Sequence, residues 1–249
     1  METRDYWESR LEKGRGLAAT GHRAFDESYN QWLYRAQRDA LADALASHEI
    51  EVSGRRVLDV GSGNGFWLEV LAERGPRHLA ALELTSVGAA RLRERFPQVE
   101  VRQADISDPD IAPVDPFELI TAMSVLFHVV DDAAFERALQ NLAAWVAPGG
   151  WLVVSGVFRK RRLPAAAHVR FRALDAYRRP LEEAGLKVLD LRPVFFLLQR
   201  SFLPVIGPPL ISSLRLGALF YRLDRILARR GWPNGFQQKL LVAHRTAGG

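Results

Sequence analysis

The stretch that decides the fold is Val57-Leu58-Asp59-Val60-Gly61-Ser62-Gly63-Asn64-Gly65-Phe66. Its first four residues are typical of a buried strand, and a glycine-rich turn follows and leads directly into a helical pattern. Gly61 and Gly63 can adopt backbone conformations that other residues avoid, and without a Cβ atom they let a ligand approach the main chain closely. The stretch therefore predicts a strand, a turn and a helix, with a ligand bound at the turn.

From Arg55 onward, short β-type runs alternate with helical segments, which predicts βαβ units and a parallel sheet. We predict strands at Arg56–Val60, His78–Leu82, Glu100–Gln103, Leu119–Met123, Trp151–Ser155, Val188–Phe196 and Gln238–His244. We predict helices at Gly65–Arg74, Ser86–Phe96, Asp132–Val146 and Leu174–Ala184. Pro148-Gly149-Gly150 is a turn signal at the end of the third of these helices.

Two further regions flank this pattern. Residues 1–51 read as a helical cap or lid, with a short helix, a loop and a longer helix from about Ser28 to Ser47, and residues 52–249 form the main domain. An insertion of about 197–235 separates the last two strands and is longer than a hairpin loop needs. It contains an amphipathic helix whose apolar face comprises Leu216, Leu219, Phe220, Leu223, Ile226 and Leu227. We expect this face to pack on the sheet, with a membrane surface, an apolar pocket or a dimer contact as alternatives.

The ligand is indicated by the spacing of glycines and acids. The turn reads G-x-G-x-G, which is a poor match to the nicotinamide fingerprint, and it lacks the lysine of a P-loop. Asp59 lies inside the first strand, where a buried carboxylate needs a partner, and it could attract an ammonium group directly or through water. Glu83 ends the next strand, 83 − 65 = 18 residues after Gly65, where it can accept hydrogen bonds from both ribose hydroxyls.

From Arg55 to Ser155 the sequence resembles the class I S-adenosylmethionine-dependent methyltransferases. The resemblance rests on the glycine motif, on Glu83, on Gln103-Ala104-Asp105-Ile106, on the segment from Ala122 to His128 and on the Pro-Gly-Gly turn. It implies an α/β, Rossmann-like seven-stranded mostly parallel sheet of order 3-2-1-4-5-7-6, with helices on both faces. It also implies that S-adenosyl-L-methionine is the cofactor. The expected cofactor contacts are Tyr6, Trp7, Asp59, Gly61, Ser62, Gly63, Gly65, Glu83, Leu84, Asp105, Ile106 and Met123.

The methyl acceptor should lie near the tip of the fourth strand, where His128 is the best titratable candidate. A histidine has a suitable pKa for a catalytic base, whereas the alternative role, a contact with the cofactor or with the start of the following helix, is the commoner one for a histidine in such a turn. The N-terminal aromatic residues are candidates for a lid, and among them Tyr29 and Trp32, together with His128, are the predicted substrate contacts. Arg10 and Arg35 are candidates for the cofactor carboxylate.

Composition excludes several kinds of functional site. The chain has 249 residues, a net charge of +5 and no cysteine, which excludes disulfides and a cysteine nucleophile. Asp131 and Asp132 suit a helix start rather than a metal site, and no metal is expected. The run Arg159-Lys160-Arg161-Arg162 is a solvated loop or a binding site for an anionic substrate.

The sequence thus favours methyl transfer to a small-molecule acceptor, most plausibly at oxygen in specialised or cofactor metabolism. One alternative is a methyltransferase acting on RNA or protein, motivated by the positive charge but weakened by the lack of an RNA-binding motif. Another is a membrane-associated member of the same fold. The N-terminus carries no apolar signal-like stretch, so a cytoplasmic location is expected.

Overall fold

A single sheet of seven strands organises the computed structural model, which describes residues 3–111, 115–158, 167–198, 216–230 and 238–248. The strands are β1 (Arg56–Val60), β2 (His78–Glu83), β3 (Glu100–Gln103), β4 (Phe117–Met123), β5 (Val146–Gly156), β6 (Leu186–Phe195) and β7 (Gln238–Arg245). Their order is β3-β2-β1-β4-β5-β7-β6, and β7 runs antiparallel to both of its neighbours. The predicted order and the mostly parallel arrangement are confirmed.

Helices connect the strands and cover both faces of the sheet. Those described are α1 (Thr3–Lys13), α2 (Leu17–Thr20), α3 (Glu27–Ser47), α4 (Phe66–Ala72), α5 (Ser86–Arg95), α6 (Asp132–Trp145), α7 (Leu174–Glu183) and α8 (Gly217–Arg229). Side chains cap several of them, because Asp26, Thr85 and Asp131 each accept a backbone N–H from the first turn of α3, α5 and α6. Asp131 therefore starts a helix, as its position in the sequence indicates.

The strand side chains divide between two hydrophobic cores, one on each face of the sheet. Successive residues point to opposite faces, so Val57 and Leu119 join the core beneath α3, α4 and α5, whereas Leu58 and Ile120 join the core beneath α6 and α7. Burial on both faces explains why these strands read as nearly continuous apolar runs.

The Pro-Gly-Gly segment differs from the prediction of a turn before the fifth strand, because it lies inside β5. Phe117 pairs with Val146 and Leu119 with Trp151, so the residues between bulge out of the ladder. Gly149 has φ 73, a left-handed conformation that suits glycine at such a bulge.

The predicted apolar face of α8 is only partly buried, because Leu216 and Phe220 pack against the core while other members face solvent. Leu219, Leu223 and Ile226 are 51%, 40% and 48% exposed, whereas Gly217 and Asp224 are buried. A Cβ atom on Gly217 would lie 2.3 Å from Trp32, so its absence lets the helix approach α3 closely.

Asp224 makes the inward face of α8 a hydrogen-bonding surface, since its carboxylate accepts the backbone N–H groups of Leu197 and Leu198 at 2.7 and 3.0 Å. The expectation that the apolar face packs against the rest of the protein therefore holds for Leu216 and Phe220, but it is wrong for Leu219, Leu223 and Ile226. The remainder of the insertion, residues 199–215 and 231–235, and the basic run at 159–162 lie outside the described residues.

This orientation predicts unequal effects of two neighbouring substitutions. Asp224→Ala leaves two backbone N–H groups without their acceptor and should lower the free energy of unfolding by about 1–3 kcal/mol. Leu223→Ala, which trims an exposed side chain on the same helix, should change it by less than about 0.5 kcal/mol. Urea unfolding followed by circular dichroism measures both, and a larger loss for Leu223→Ala would contradict the observed orientation.

Candidate active site

The glycine turn is a close-packed backbone cradle. Gly61, Gly63 and Gly65 all have positive φ, at 71, 52 and 84°. A Cβ atom on Gly61 would lie 2.4 Å from Val125 Cγ2, and one on Gly63 would lie 2.9 Å from Thr20 Cγ2. Conformation and space therefore both require glycine at these positions. The side chains of Val125 and Thr20 thus pack closely against the turn, and Gly61, Ser62 and Gly63 also line a cavity.

A cavity of about 560 Å³ opens over this turn, at the carboxyl ends of β1, β2 and β4. Ligands of open α/β sheets bind at this edge, beside the strand where the chain reverses its direction of winding. The wall includes the predicted residues Gly61, Ser62, Gly63, Glu83, Leu84, Asp105, Ile106, Met123, Trp7 and His128. Most of the predicted cofactor contacts are thus brought together in one cavity.

Glu83 fastens the glycine turn to the end of β2. Its Oε2 accepts the backbone N–H of Gly63 at 2.8 Å, and its Oε1 accepts the N–H and the hydroxyl of Thr85 at 3.0 and 2.6 Å. The side chain is 4% exposed and lies on the cavity wall. It therefore shapes the turn as well as offering a carboxylate to a ligand, and the sequence pattern indicated only the second of these roles.

Asp59 holds a buried carboxylate oxygen without a partner. Its Oδ1 accepts the Thr121 hydroxyl at 2.7 Å, whereas Oδ2 has no hydrogen-bond partner in the described structure. Burial raises the pKa of this carboxyl to about 7, and the charge of Glu83 raises it as well. Asp59 is 1% exposed and is not itself on the cavity wall, although Ser62 hydrogen-bonds its carbonyl and does line the cavity. A group with this environment gains from a nearby cation or hydrogen-bond donor.

Asp105 lies at the opposite side of the cavity, just after β3. Its Oδ1 accepts the backbone N–H and the hydroxyl of Ser107 at 2.8 and 2.7 Å, which fixes the loop. Its second oxygen, Oδ2, has no protein partner among the described residues. Ile106 is buried and also lines the cavity, so this end combines an acceptor oxygen with an apolar surface.

His128 is held as a neutral imidazole. Its Nδ1 lies 2.9 Å from the carbonyl oxygen of His168, and because a carbonyl only accepts, Nδ1 carries the proton and Nε2 keeps its lone pair. The pKa of His128 is lowered to about 4, chiefly by burial; the hydrogen bond to the His168 carbonyl opposes this shift, and the charges of His168 and Arg10 add to it. The ring packs edge-on against Trp7 at 4.8 Å.

The N-terminal helices cover the cavity with fewer aromatic residues than the sequence suggests. Trp7 of α1 and Tyr34 of α3 line it, and the Tyr34 hydroxyl hydrogen-bonds Thr20 at 2.7 Å. Tyr6 lies behind Trp7, where it is buried and stacks on the ring of His168 at 3.8 Å.

Tyr29 and Trp32 do not reach the cavity, although both are predicted substrate contacts. The Tyr29 hydroxyl donates to the Leu198 carbonyl at 3.0 Å, and Trp32 packs on Tyr221 at 5.4 Å. They lie on the face of α3 that packs inside the protein, whereas Tyr34 projects from another face. Sequence alone does not tell which face of an aromatic-rich helix meets the ligand.

The two candidate arginines are also engaged elsewhere. Arg10 donates to the Ala18 and Gly21 carbonyls and thereby fixes the loop around α2, while Arg35 lies over the ring of Tyr221 at 5.1 Å. Neither residue lies on the cavity wall.

Ser124 is a wall residue that sequence reasoning missed. It follows β4 directly and has φ 63, a conformation that is uncommon for a residue other than glycine. No sequence signal reveals this conformation, because serine does not demand it.

Comparison with known proteins identifies the family of this chain. The family model described as "Methyltransferase domain" matches residues 29–191. The ubiquinone biosynthesis O-methyltransferase of Xylella fastidiosa (strain M23) is 39% identical over 117 residues, which are 45% of this chain and 46% of that protein. The protein of the same name from Xanthomonas oryzae pv. oryzae (strain PXO99A) is 32% identical over 165 residues, 65% of each chain. The matches thus span about half to two thirds of these relatives.

Solved structures share the fold at low identity. The N-methyltransferase NodS of Bradyrhizobium japonicum WM9 in complex with S-adenosyl-L-homocysteine has a TM-score of 0.63 at 15% identity, covering 98% of this chain and 99% of that one. Magnesium protoporphyrin IX methyltransferase of Synechocystis PCC 6803 with the same ligand has a TM-score of 0.62 at 12% identity, covering 98% of each. With the family match, the sheet order and the glycine cradle, the chain belongs to the methyltransferase-domain family and is a class I S-adenosylmethionine-dependent methyltransferase.

Proposed function

We propose that this protein transfers a methyl group to an oxygen atom of a small-molecule acceptor in cofactor metabolism. The O-methyltransferase names of its relatives support this proposal. The single observation that carries the proposal is that His128 is neutral and lies on the wall of the cavity, so that its Nε2 has a lone pair that can accept a proton.

The residues of the cavity fit S-adenosylmethionine. Glu83 offers a carboxylate at the tip of β2, where ribose hydroxyls would donate to it, and Asp105 and Ile106 offer an acceptor and an apolar surface for adenine. The unpartnered Oδ2 of Asp59 suits the ammonium group of the methionine part. When bound, the cofactor supplies an electrophilic methyl group. Trp7 and Tyr34 cover the cavity and limit the access of water.

Asp59 predicts a pH dependence of ligand binding. Its pKa is about 7, so below pH 7 the carboxyl is largely protonated and must release a proton when an ammonium group binds beside it. The affinity for S-adenosylhomocysteine should therefore fall as the pH decreases from about 8 to 6, by at most about tenfold per pH unit.

Calorimetry with two ligands and one variant tests this dependence. Adenosine lacks the ammonium group and should bind with little change over the same pH range, and Asp59→Asn should remove the dependence for S-adenosylhomocysteine. Equal pH profiles for both ligands with the unmodified protein would contradict the role of Asp59.

His128 provides the proton acceptor that a hydroxyl acceptor needs. A phenolic hydroxyl has a pKa of about 10 and stays protonated at neutral pH, so its proton must leave as the oxygen attacks. Nε2 can take that proton as the bond to the methyl group forms, because the oxygen then becomes strongly acidic. The His168 carbonyl on Nδ1 orients the ring and partly offsets the burial that lowers the pKa of His128.

Replacing this base should slow the reaction without weakening the binding of the cofactor. His128→Gln should reduce kcat by roughly 10²–10⁴-fold, the usual contribution of a positioned base, while the Kd for S-adenosylhomocysteine stays the same. His168→Ala is the matched control, because it keeps the backbone carbonyl on Nδ1 and removes only the second imidazole. If His128→Gln raised the Kd and left kcat unchanged, the residue would position the cofactor instead.

The exposed stripe of α8 supports a second proposal, a peripheral contact with an anionic membrane surface. Leu219, Leu223 and Ile226 face solvent, and the exposed Arg222 and Arg229 flank them. An apolar strip beside cations is the arrangement of helices that lie in a lipid interface. Within the described part of the chain, no helix has the length and apolar character to cross a membrane. Location in the cytoplasm stays a prediction from the sequence.

Vesicle flotation tests the membrane contact. The protein should float with vesicles of phosphatidylcholine and phosphatidylglycerol but not with phosphatidylcholine alone, and added salt should reduce the binding. Arg222→Glu with Arg229→Glu, or Leu219→Ser with Ile226→Ser, should abolish it. Leu189→Ser is the control, since this side chain is 42% exposed on β6. Arg225 is left intact because it pairs with Asp43 at 2.7 Å. Equal flotation of all variants would contradict the proposal.

A further inference from the structure

A buried polar cluster lies at the ends of three neighbouring strands. It joins Ser124, just after β4, to Ser155 near the end of β5 and to Gln238 at the start of β7. Ser155 is fully buried and Gln238 is 3% exposed, whereas Ser124 lies on the wall of the cavity described above. Polar groups in such a place need every hydrogen bond they can form, so the pattern of donors and acceptors is informative.

One hydroxyl proton of this cluster has no acceptor within the cluster. Gln238 Nε2 donates to the Ser155 hydroxyl oxygen at 3.1 Å, and the Ser124 backbone N–H donates to the same oxygen at 2.7 Å. A hydroxyl oxygen accepts two hydrogen bonds, so both acceptor positions of Ser155 are filled. Its own proton is therefore directed to Ser124 Oγ, which lies 3.3 Å away.

Ser124 consequently has a proton to give. Its Oγ accepts from Gln238 Nε2 at 2.6 Å and from Ser155, which fills both of its acceptor positions. No described residue accepts the Ser124 hydroxyl proton. Since Ser124 lies on the cavity wall, this proton is available to a ligand in the cavity.

The backbone of Ser124 is held in an uncommon conformation by the same cluster. Its φ of 63 is positive, which among the described residues other than glycine is shared only with Glu49. Such a conformation costs free energy and persists where its surroundings enforce it, which is frequent at functional sites. The N–H bond to Ser155 enforces it here, so the hydroxyl is oriented in advance.

The position along the sheet edge indicates which ligand meets this donor. Glu83 and the glycine turn lie on β2 and β1, on one side of β4, and they offer acceptors and backbone to the cofactor. The cluster lies on the other side of β4, towards β5 and β7. Its donor therefore faces the half of the cavity that the cofactor residues leave to the methyl acceptor.

We propose that Ser124 donates a hydrogen bond to the reacting oxygen of the acceptor, with Ser155 and Gln238 as positioning residues. This inference rests on the proposed O-methylation. As the hydroxyl proton passes to His128 Nε2, the oxygen gains negative charge, and a fixed donor becomes stronger towards it. Neutral imidazole can take a proton from a phenol of pKa about 10 far more readily than from an alkyl hydroxyl close to water at about 15.7.

The test uses 4-nitrophenol, whose phenolate is coloured, with protein saturated by S-adenosylhomocysteine. Unmodified protein should bind the phenolate and lower the apparent pKa of the bound probe. Ser124→Gly removes the hydroxyl and fits the positive φ without strain, and Ser124→Ala removes it without that relief. Both should weaken phenolate binding by roughly tenfold, equivalent to about one unit in the pKa of the bound probe.

Gln238→Glu tests the proton count with Ser124 intact. A carboxylate only accepts, so it should capture the Ser124 proton and cause the same loss of phenolate affinity. Gln140→Glu adds the same charge on the exposed face of α6 and should have no effect. Circular dichroism and the affinity for S-adenosylhomocysteine should be unchanged in every variant.

The outcomes of this test distinguish a failure of the Ser124 assignment from a failure of the proposed O-methylation. It is overturned if Ser124→Gly or Gln238→Glu binds 4-nitrophenolate as tightly as unmodified protein, or if unmodified protein does not lower the pKa of the probe. If S-adenosylhomocysteine fails to bind unmodified protein, the proposed function itself fails. Loss of phenolate affinity in both variants, with the nucleoside affinity retained, supports the assignment of Ser124.

Discussion

The hydrogen bonds of the Glu83 carboxylate are the constraint on which the site depends. One side chain holds the Gly63 N–H of the turn after β1 and both donors of Thr85, which caps α5. It thereby fixes two strand ends and a helix start relative to each other, and the main chain of the turn becomes a rigid surface. The carboxylate is buried, and it accepts two backbone N–H groups and one hydroxyl group. Glu83 on the wall and the buried Asp59 are both acids, which suits a cationic ligand at this end of the cavity.

The sequence predicts those parts of this arrangement that are local. Buried parallel strands read as apolar runs, and the observed β1 and β3 have the predicted bounds, Arg56–Val60 and Glu100–Gln103. Glycines predict a turn because few other residues adopt its conformation. The bond between Glu83 and Gly63 joins two strands, and the φ of Ser124 is imposed by Ser155 from a third strand. Interactions between residues distant in the chain leave no periodic signal, so sequence reasoning did not find them.

The amphipathic helices show a related limit. Periodicity indicates which residues share a face, but it does not indicate which face turns inward. In α8, Gly217 and Asp224 lie on the side that packs inward, and only part of the apolar face follows them, so Leu219, Leu223 and Ile226 face solvent. The same holds for α3, where Tyr34 reaches the cavity but Tyr29 does not. The Tyr29 hydroxyl instead donates a hydrogen bond to the Leu198 carbonyl.

The antiparallel β7 explains how the region before it can influence the acceptor. Because β7 runs against β5, its first residues lie where β5 ends, and Lys239 pairs with Gly156 at the active edge of the sheet. Gln238 therefore reaches Ser155 and Ser124 from the far end of the chain. The insertion between β6 and β7 precedes this residue in the chain, whereas the cofactor half is built from β1, β2 and the loop after β3. The same sheet edge thus carries the proposed nucleoside-binding residues on one side of β4 and the proposed acceptor-binding residues on the other. Because the two sets are separate, the acceptor side can differ between proteins that share this fold.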